Sequence, residues 1–487
     1  MELRIKALSA LIWSAIQAWG TRVVSFFVLL ILARLLVPES FGLVATASVV
    51  LDFIQVFVNQ GFGEAIVQRA ELEPEHLDAA FWLSILMGIV LTAIGVISAG
   101  LVAAIFSEPR LVPIVRWLSF NFVFVALSGV QQALLRRRLA FKALAARSFV
   151  ANVIGGVVGV AMAFLGYGVW CLVAQTLVRG LVGVIALWGI SDWRPRLAFS
   201  RRHFRELFGF SVNILGMNVL TFFNRRTDDF LIGYFLGPVA LGYYIVAYRV
   251  LLVMINLVID VITSVTLPVF SRMQGDPERL RRAFYEAVHY IELAAFPIFL
   301  AVFVMAPELV SVLYGPQWVS SIPVMQVLSL VGVLLAAFYI HGNLLVAAGR
   351  PGVKLCLMLM HTVCNVIAFT VAVRWGIVAV ATAFVVRGYL LAPVEVWVIR
   401  RLTKIDLKIY LRQYVAPLVG SVVMVLVVVG LKQVLAVHLG LYLQVVIYGL
   451  AGFLAYLLAV FVMAPVTLRR LLESIRSVWM CRRVTQP

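Results

Sequence analysis

Residues 79–105 read AAFWLSILMGIVLTAIGVISAGLVAAI, an unbroken run without a single charge. As a helix rising 1.5 Å per residue, such a run is about 40 Å long, more than the ~30 Å hydrocarbon core of a bilayer. An outer-membrane barrel strand would give instead about ten residues of alternating polarity. The run is therefore a membrane-spanning helix, and the chain holds many like it. Fourteen apolar segments are expected, near 8–33, 41–62, 79–105, 111–134, 148–166, 168–190, 207–235, 239–269, 285–306, 321–346, 352–373, 376–399, 411–431 and 441–463. The composition agrees: of 487 residues 63% are apolar and only 13% charged, with a mean hydropathy of +1.05. Those values exclude a soluble enzyme, a disordered chain and a nucleic-acid-binding domain. The fold expected is an all-α polytopic membrane protein. The opening residues 1–6, followed by an apolar run past Arg22, read as the start of an uncleaved first span.

The net charge of +18 has a topological explanation. With the N-terminus in the cytoplasm, 29 of the 40 Lys and Arg residues fall in the tails and even-numbered loops, five on the opposite side and six inside spans. Positive charge accumulates on the cytoplasmic side of membrane proteins, so both termini are expected there. No connection exceeds about twenty residues, so no soluble domain is inserted. No Gly-Lys dipeptide occurs, so there is no P-loop for ATP, and any work must draw on a gradient. Cys171, Cys356, Cys364 and Cys481 have no metal-ligand spacing. No disulfide, metal, cofactor or catalytic residue is expected.

An internal repeat is visible. LVPESFG at 36–42 follows span one, and LGPVALG at 236–242 follows span seven. Asn152-Val153-Ile154 in span five is echoed by Asn365-Val366-Ile367 in span eleven. The expected division is a first lobe at 1–203, a second at 204–403, and a terminal pair of spans with a basic tail at 404–487. Parallel repeats of this kind build transporters with the site at the repeat interface.

Polar side chains inside spans are costly and normally face a wet interior. Ser14, Gln17, Thr21 and Ser25, with Arg22 beside them, recur at helical spacing in span one. So do Asp52, Gln55 and Asn59 in span two, Asn218, Thr221, Arg225 and Asp228 in span seven, and Arg249, Asn256 and Asp260 in span eight. These equivalent spans of the two halves are expected to line a hydrophilic cavity. The expected substrate-facing residues are Arg22, Gln17, Asp52, Arg225, Asp228, Arg249, Asp260 and Arg387, and the coupling candidates are Asp52, Asp228, Asp229 and Glu292. Arg179 and Glu395 are further candidates, whereas His341 and His361 read as polar anchors. The same charges also make sense as helix-holding pairs: Arg225 or Arg226 with Asp229, and Arg249 with Asp52 or Asp260. Spans thirteen and fourteen, nearly free of charge apart from Lys432, read as lipid-facing additions. The stretch 468–483 alternates Arg with apolar residues, as an interfacial helix on anionic lipid would.

Several of these stretches carry a resemblance. Thr21-Arg22, LARLLVPESFG at 32–42 and GFGEAIVQ at 61–68 are similar to the opening of bacterial polysaccharide repeat-unit flippases. DFLIG at 229–233, LGYY at 241–244, PVFS at 268–271 and AGR at 348–350 resemble their second half. The nearest subgroup is that of the colanic-acid, succinoglycan and xanthan exporters, within the multidrug/oligosaccharidyl-lipid/polysaccharide exporter superfamily. That superfamily includes multidrug extruders and the lipid II flippase. The resemblance implies two six-helix lobes and alternating access. It implies a substrate of undecaprenyl-pyrophosphate-linked oligosaccharide, moved from the cytoplasmic to the periplasmic leaflet for exopolysaccharide or lipopolysaccharide synthesis. The implied setting is the bacterial inner membrane, with membrane lipids and polysaccharide polymerase or export machinery as partners and neither nucleic acid nor ATP. Arg22 matches by position a first-helix arginine that relatives use for the anionic carrier. The alternatives are a drug/cation antiporter of the same fold, a membrane polysaccharide polymerase or ligase, and an integral glycosyltransferase. A polymerase or ligase needs a long periplasmic loop, and Asp228-Asp229, the only acidic pair, lies inside a span.

Overall fold

The computed structural model describes residues 2–58, 63, 66–67, 73–196, 201–435 and 440–463; the side chains of 2–18, 58, 201–215, 257, 259–265 and 267–268 lie outside that description. The chain is all-α, with no strand among the described residues. Twelve described stretches are long and apolar enough to cross a membrane. They account for spans two to fourteen, because Gly216–Asn256 holds two spans in one continuous stretch. Span one is the helix Glu2–Leu35. The contacts divide the chain into two units, one of Met1–Ile245 with Phe369–Ile377, the other of Val246–Ala368 with Val378–Pro487.

The first unit contains α1 (Glu2–Leu35), α2 (Pro38–Val58), α3 (Pro74–Ile105), α4 (Leu111–Ser119), α5 (Asn121–Arg137), α6 (Phe141–Phe164), α7 (Trp170–Ile190) and the first part of α8 (Arg201–Arg272). Helix α3 starts at Pro74, where a missing N–H costs nothing, and Glu73 and His76 cap each other's backbone across its first turn. Span four is two helices, α4 and α5, joined at Phe120. Leu91, Ala99, Val102 and Phe106 of the α3 stretch pack on Ile114, Val115, Leu118 and Phe122, with Ala47 and Leu51 of α2. Helix α6 lies along both α1 and α7.

The sequence repeat is a physical contact. Gly237 has φ +80°, a conformation open to glycine, and it breaks α8 within the 236–242 motif. A Cβ on Gly42 would fall on the carbonyl of Pro238, and a Cβ on Gly242 would fall on the carbonyl of Pro38. Each motif thus sets its glycine against the other's proline backbone, a reciprocal fit that only hydrogen side chains allow.

The second unit contains the rest of α8, α9 (Pro277–Leu313), α10 (Ile322–Ala347), α11 (Pro351–Ala372, to Ala368), α12 (Ile377–Thr403, from Val378), α13 (Leu407–Leu435) and α14 (Leu441–Met463). Asp276 caps α9, accepting from the N–H groups of Glu278 (3.2 Å) and Arg279 (3.0 Å). The last two spans are tied to α9. Met305 packs with Val428 and Tyr448, and the Tyr456 hydroxyl donates to the Leu293 carbonyl at 2.7 Å. Lys432, expected in a connecting loop, lies inside α13 and bridges Glu308 at 2.7 Å while donating to the Val304 carbonyl. The outer surfaces of both units carry large exposed apolar side chains such as Ile97, Leu390, Leu426 and Val462, as lipid contact requires.

Candidate functional site

In the first unit the acids and one arginine are already satisfied. Arg226 on α8 donates through Nη1 to Asp229 Oδ2 (2.8 Å) and through Nη2 to Asp52 Oδ2 on α2 (2.6 Å). Its planar fork reaches both carboxylates at once, which a lysine could not copy. Asp228 is buried and accepts from the Tyr244 hydroxyl at 2.8 Å. Asp52, Asp228 and Asp229 of the expected set therefore come together. Of the two arginines open to Asp229, it is Arg226 that makes the bridge, while Arg225 faces outward.

A second group in this unit is purely cationic. Helices α6 and α7 run closely packed: a Cβ on Gly155 would lie 3.0 Å from that of Arg179, and one on Gly159 3.0 Å from that of Gln175. At the other end of the pair, the Arg147 guanidinium lies across Gly183, with Nε donating to the Gly183 carbonyl at 3.2 Å. Gly183 is one helical turn from Arg179. Among the described residues neither Arg147 nor Arg179 bonds a carboxylate. Helix α1, which carries half-buried Arg22, joins the same helix α6 through Ser25 Oγ donating to Asn152 Oδ1 at 3.2 Å. Gln17 lies in α1 but its side chain is outside the described residues.

In the second unit a chain of hydrogen bonds crosses four helices. Arg387 Nη1 donates to His361 Nδ1 (2.7 Å), and His361 Nε2 meets Glu395 Oε2 (3.1 Å). Glu395 Oε1 meets His341 Nδ1 (3.1 Å), His341 Nε2 meets the Tyr410 hydroxyl (2.9 Å), and that hydroxyl meets Tyr414 (2.5 Å). Glu292 on α9 is fully buried, with neither carboxyl oxygen bonded among the described residues. Arg249 is exposed on α8, and the side chain of Asp260 lies outside the described residues. So do the side chain of Asn59, most of 61–68 and the basic stretch 468–483. Among the described residues no cluster fit to hold a metal ion forms.

Sequence reasoning missed the grouping of Arg147 with Arg179. Arg147 counts as a loop cation when charges are sorted by distance from a span end. The signal was present only as an arginine and a glycine on each of two neighbouring helices, Arg147 and Gly155 on α6 and Arg179 and Gly183 on α7. It also missed Tyr410 and Tyr414, whose i, i+4 spacing marks one face of span thirteen.

A family model described as polysaccharide biosynthesis protein matches residues 31–323. The succinoglycan biosynthesis transport protein ExoT of Rhizobium meliloti (strain 1021) is 27% identical over 96% of this chain and 94% of its own length. The lipopolysaccharide biosynthesis protein WzxC of Escherichia coli (strain K12) is 27% identical over 73% of this chain and 72% of its own. Among solved structures, the lipid II flippase MurJ in an inward closed conformation superposes with a TM-score of 0.78, at 14% identity, over 94% of this chain and 100% of its own. That likeness establishes the fold.

Proposed function

The chain belongs to the polysaccharide biosynthesis protein family, and from that premise we propose that it is a flippase for lipid-linked oligosaccharide repeat units. Its substrate is an oligosaccharide on undecaprenyl pyrophosphate, carried from the cytoplasmic to the periplasmic leaflet by alternating access. The protein is a transporter in this reading and makes or breaks no covalent bond. Its setting is the inner membrane, with both termini cytoplasmic and with parts at 1–203, 204–403 and 404–487.

The observation that carries this reading is the pair Arg147 and Arg179. Cations inside a membrane span cost several kcal/mol unless something balances them. Arg226 is balanced by Asp52 and Asp229. Arg147 and Arg179 have no such acid among the described residues, and so they suit a substrate that brings its own negative charge. A pyrophosphate does so, and a guanidinium holds phosphate oxygens through paired, charge-assisted hydrogen bonds. A cation exporter would need free acids, but in this unit Asp52 and Asp229 share Arg226 and Asp228 is held by Tyr244.

The test is polymer output together with the pool of lipid-linked repeat units. Deletion of the gene should stop export and accumulate lipid-linked units. Arg147→Gln and Arg179→Gln should do the same at normal protein level, with Lys at either position retaining part of the activity. Wild-type export from both glutamine variants would overturn the assignment of these arginines. Export without lipid-linked accumulation in the deletion strain would overturn the flippase reading itself.

A further inference from the structure

The hydrogen-bonded chain in the second unit contains two histidines on one carboxylate, and they are not equivalent. A guanidinium has donors only, so Arg387 Nη1 must donate to His361 Nδ1. That nitrogen is then an acceptor, and His361 carries its proton on Nε2, donated to Glu395 Oε2. His361 is locked as a neutral ring. His341 has no such lock. Its Nδ1 donates to Glu395 Oε1, and its Nε2 faces the Tyr410 hydroxyl, which can donate or accept. Tyr410 in turn meets Tyr414, again a hydroxyl able to act either way. His341 alone can therefore gain or lose a proton with every hydrogen bond kept, by turning over two hydroxyl groups.

The surroundings suit that role. Glu395, accepting from both rings, is the counter-charge, and Arg387 balances it while His341 is neutral. Phe284 stacks on Tyr410 with ring planes 7° apart and packs on His341 (5.9 Å), while Phe338 covers both rings at 6.0 and 5.4 Å. His341 is 1% exposed and Glu395 5%. Among the described residues the other titratable groups near the chain are Glu292 on α9, Cys364 on α11 and Tyr389 on α12, with His289 bonded to the Gln413 carbonyl and Lys354 beside Gly342. Glu292 stands one turn before Phe296, whose ring meets Tyr414 at 6.3 Å, so a second carboxyl lies near the tyrosine end. A buried ionisable group in a membrane protein costs stability and persists where it has a task.

We propose that His341 and Glu395 form the proton-binding site of a proton-coupled transporter, with Tyr410 and Tyr414 as its proton wire. The step is balanced. A hydronium gives a proton to the Tyr414 oxygen and leaves as water, Tyr414 passes its own proton to Tyr410, and Tyr410 passes its own to His341 Nε2, so each hydroxyl loses one O–H bond and gains one, an N–H bond forms, and nothing is oxidised or reduced. Release reverses these transfers. The bound proton changes the site from net neutral to +1, which couples it to both pH gradient and membrane potential. The link to export rests on the flippase reading, whereas proton binding does not.

The experiment has two arms on the full-length protein. In the first, purified protein in detergent, with no substrate added, is loaded with acid in small steps and the protons bound per chain are counted. His341→Asn and Glu395→Gln should each take up about one proton fewer per chain than wild type, while His361→Asn should match wild type. Tyr410→Phe keeps the ring stack and should retain the proton but slow its exchange. Unchanged uptake in His341→Asn, or loss of the proton in His361→Asn instead, overturns the site. In the second arm, export is followed while nigericin with valinomycin collapses both the pH gradient and the membrane potential. Wild-type export should fall to the level of His341→Asn, and export indifferent to loss of both overturns the coupling. Failure of the flippase reading would show separately, as a deletion strain without lipid-linked accumulation, and would leave the titration result standing.

Discussion

Replacing Arg226 by Ala removes the cation that bridges Asp52 on α2 and Asp229 on α8. The two acids lose unequally. The Asp229 side chain is 8% exposed, so losing this bridge leaves its charge underbalanced in a low-dielectric interior, at a cost of about 3–5 kcal/mol. Asp52 is 42% exposed and rehydrates, so its share is about 0–1 kcal/mol. Nearly all the loss is therefore assigned to Asp229. That asymmetry sets the control. Adding Asp229→Asn to Arg226→Ala removes the stranded charge and should restore most of the stability, whereas adding Asp52→Asn should restore little. Arg226→Lys keeps the charge but loses the fork and should fall between. The assay is thermal unfolding of purified full-length protein in detergent, where each kcal/mol moves the midpoint by about 2 °C or less for a chain of this size. An Arg226→Ala midpoint equal to wild type, or better rescue by Asp52→Asn than by Asp229→Asn, would refute the reasoning.

Gly42→Ala and Gly242→Ala should each destabilise by about 1–3 kcal/mol, because the new Cβ meets a backbone carbonyl that no rotamer can move. The double variant should cost less than the sum, since one separation of the two motifs relieves both clashes, and thermal unfolding of all three reads this. Glu108 is held below the ordinary carboxylate range by the side-chain hydrogen bond from Arg110. Its contribution is therefore present at neutral pH and lost as pH falls through its lowered value, and Glu108→Gln should flatten the midpoint-against-pH curve below about pH 4.5. Lys432→Met leaves Glu308, 14% exposed, without its cation and should cost about 3 kcal/mol, regained when Glu308→Gln is added. Truncation after Thr403 removes Lys432, Tyr410 and Tyr414 together, and the fragment should melt well below the full chain.

The spans were legible because a bilayer imposes length and charge rules that each helix obeys by itself. The repeat at 36–42 and 236–242 was legible for a different reason: both motifs need glycine at the same place, and the contact between them supplies the cause. Arg225 and Arg226 could not be told apart, since a helical stripe is wider than the 100° between neighbours on a helix. The structure separates them by partner. The His341–Glu395–His361 group was invisible as a group. Its members are 20 to 54 positions apart on three helices, and no periodicity within one helix reports what stands opposite it. The peripheral reading of spans thirteen and fourteen rested on their low charge. Yet a single lysine inside α13 and two tyrosine hydroxyls tie that helix to its unit.

For the proposed anionic substrate, the pairing pattern sets what each arginine would have to give up. A guanidinium in a bridge such as Arg226 must give up a bond of 2.6 Å and one of 2.8 Å before it can grip a phosphate, so capture there exchanges one set of charge-assisted bonds for another. Among the described residues Arg147 has only a carbonyl to give up, and Arg179 gives up no hydrogen bond. Their gain on meeting a pyrophosphate is therefore close to the full interaction, and their mutual repulsion is relieved at the same time. In the proposed flippase, structural and substrate-facing arginines would separate by whether the fold has already supplied the acid. On that criterion the loss of Arg226 should be a defect of folding, and the proposed flippase should lose transport, while still folding, when Arg147 or Arg179 is replaced.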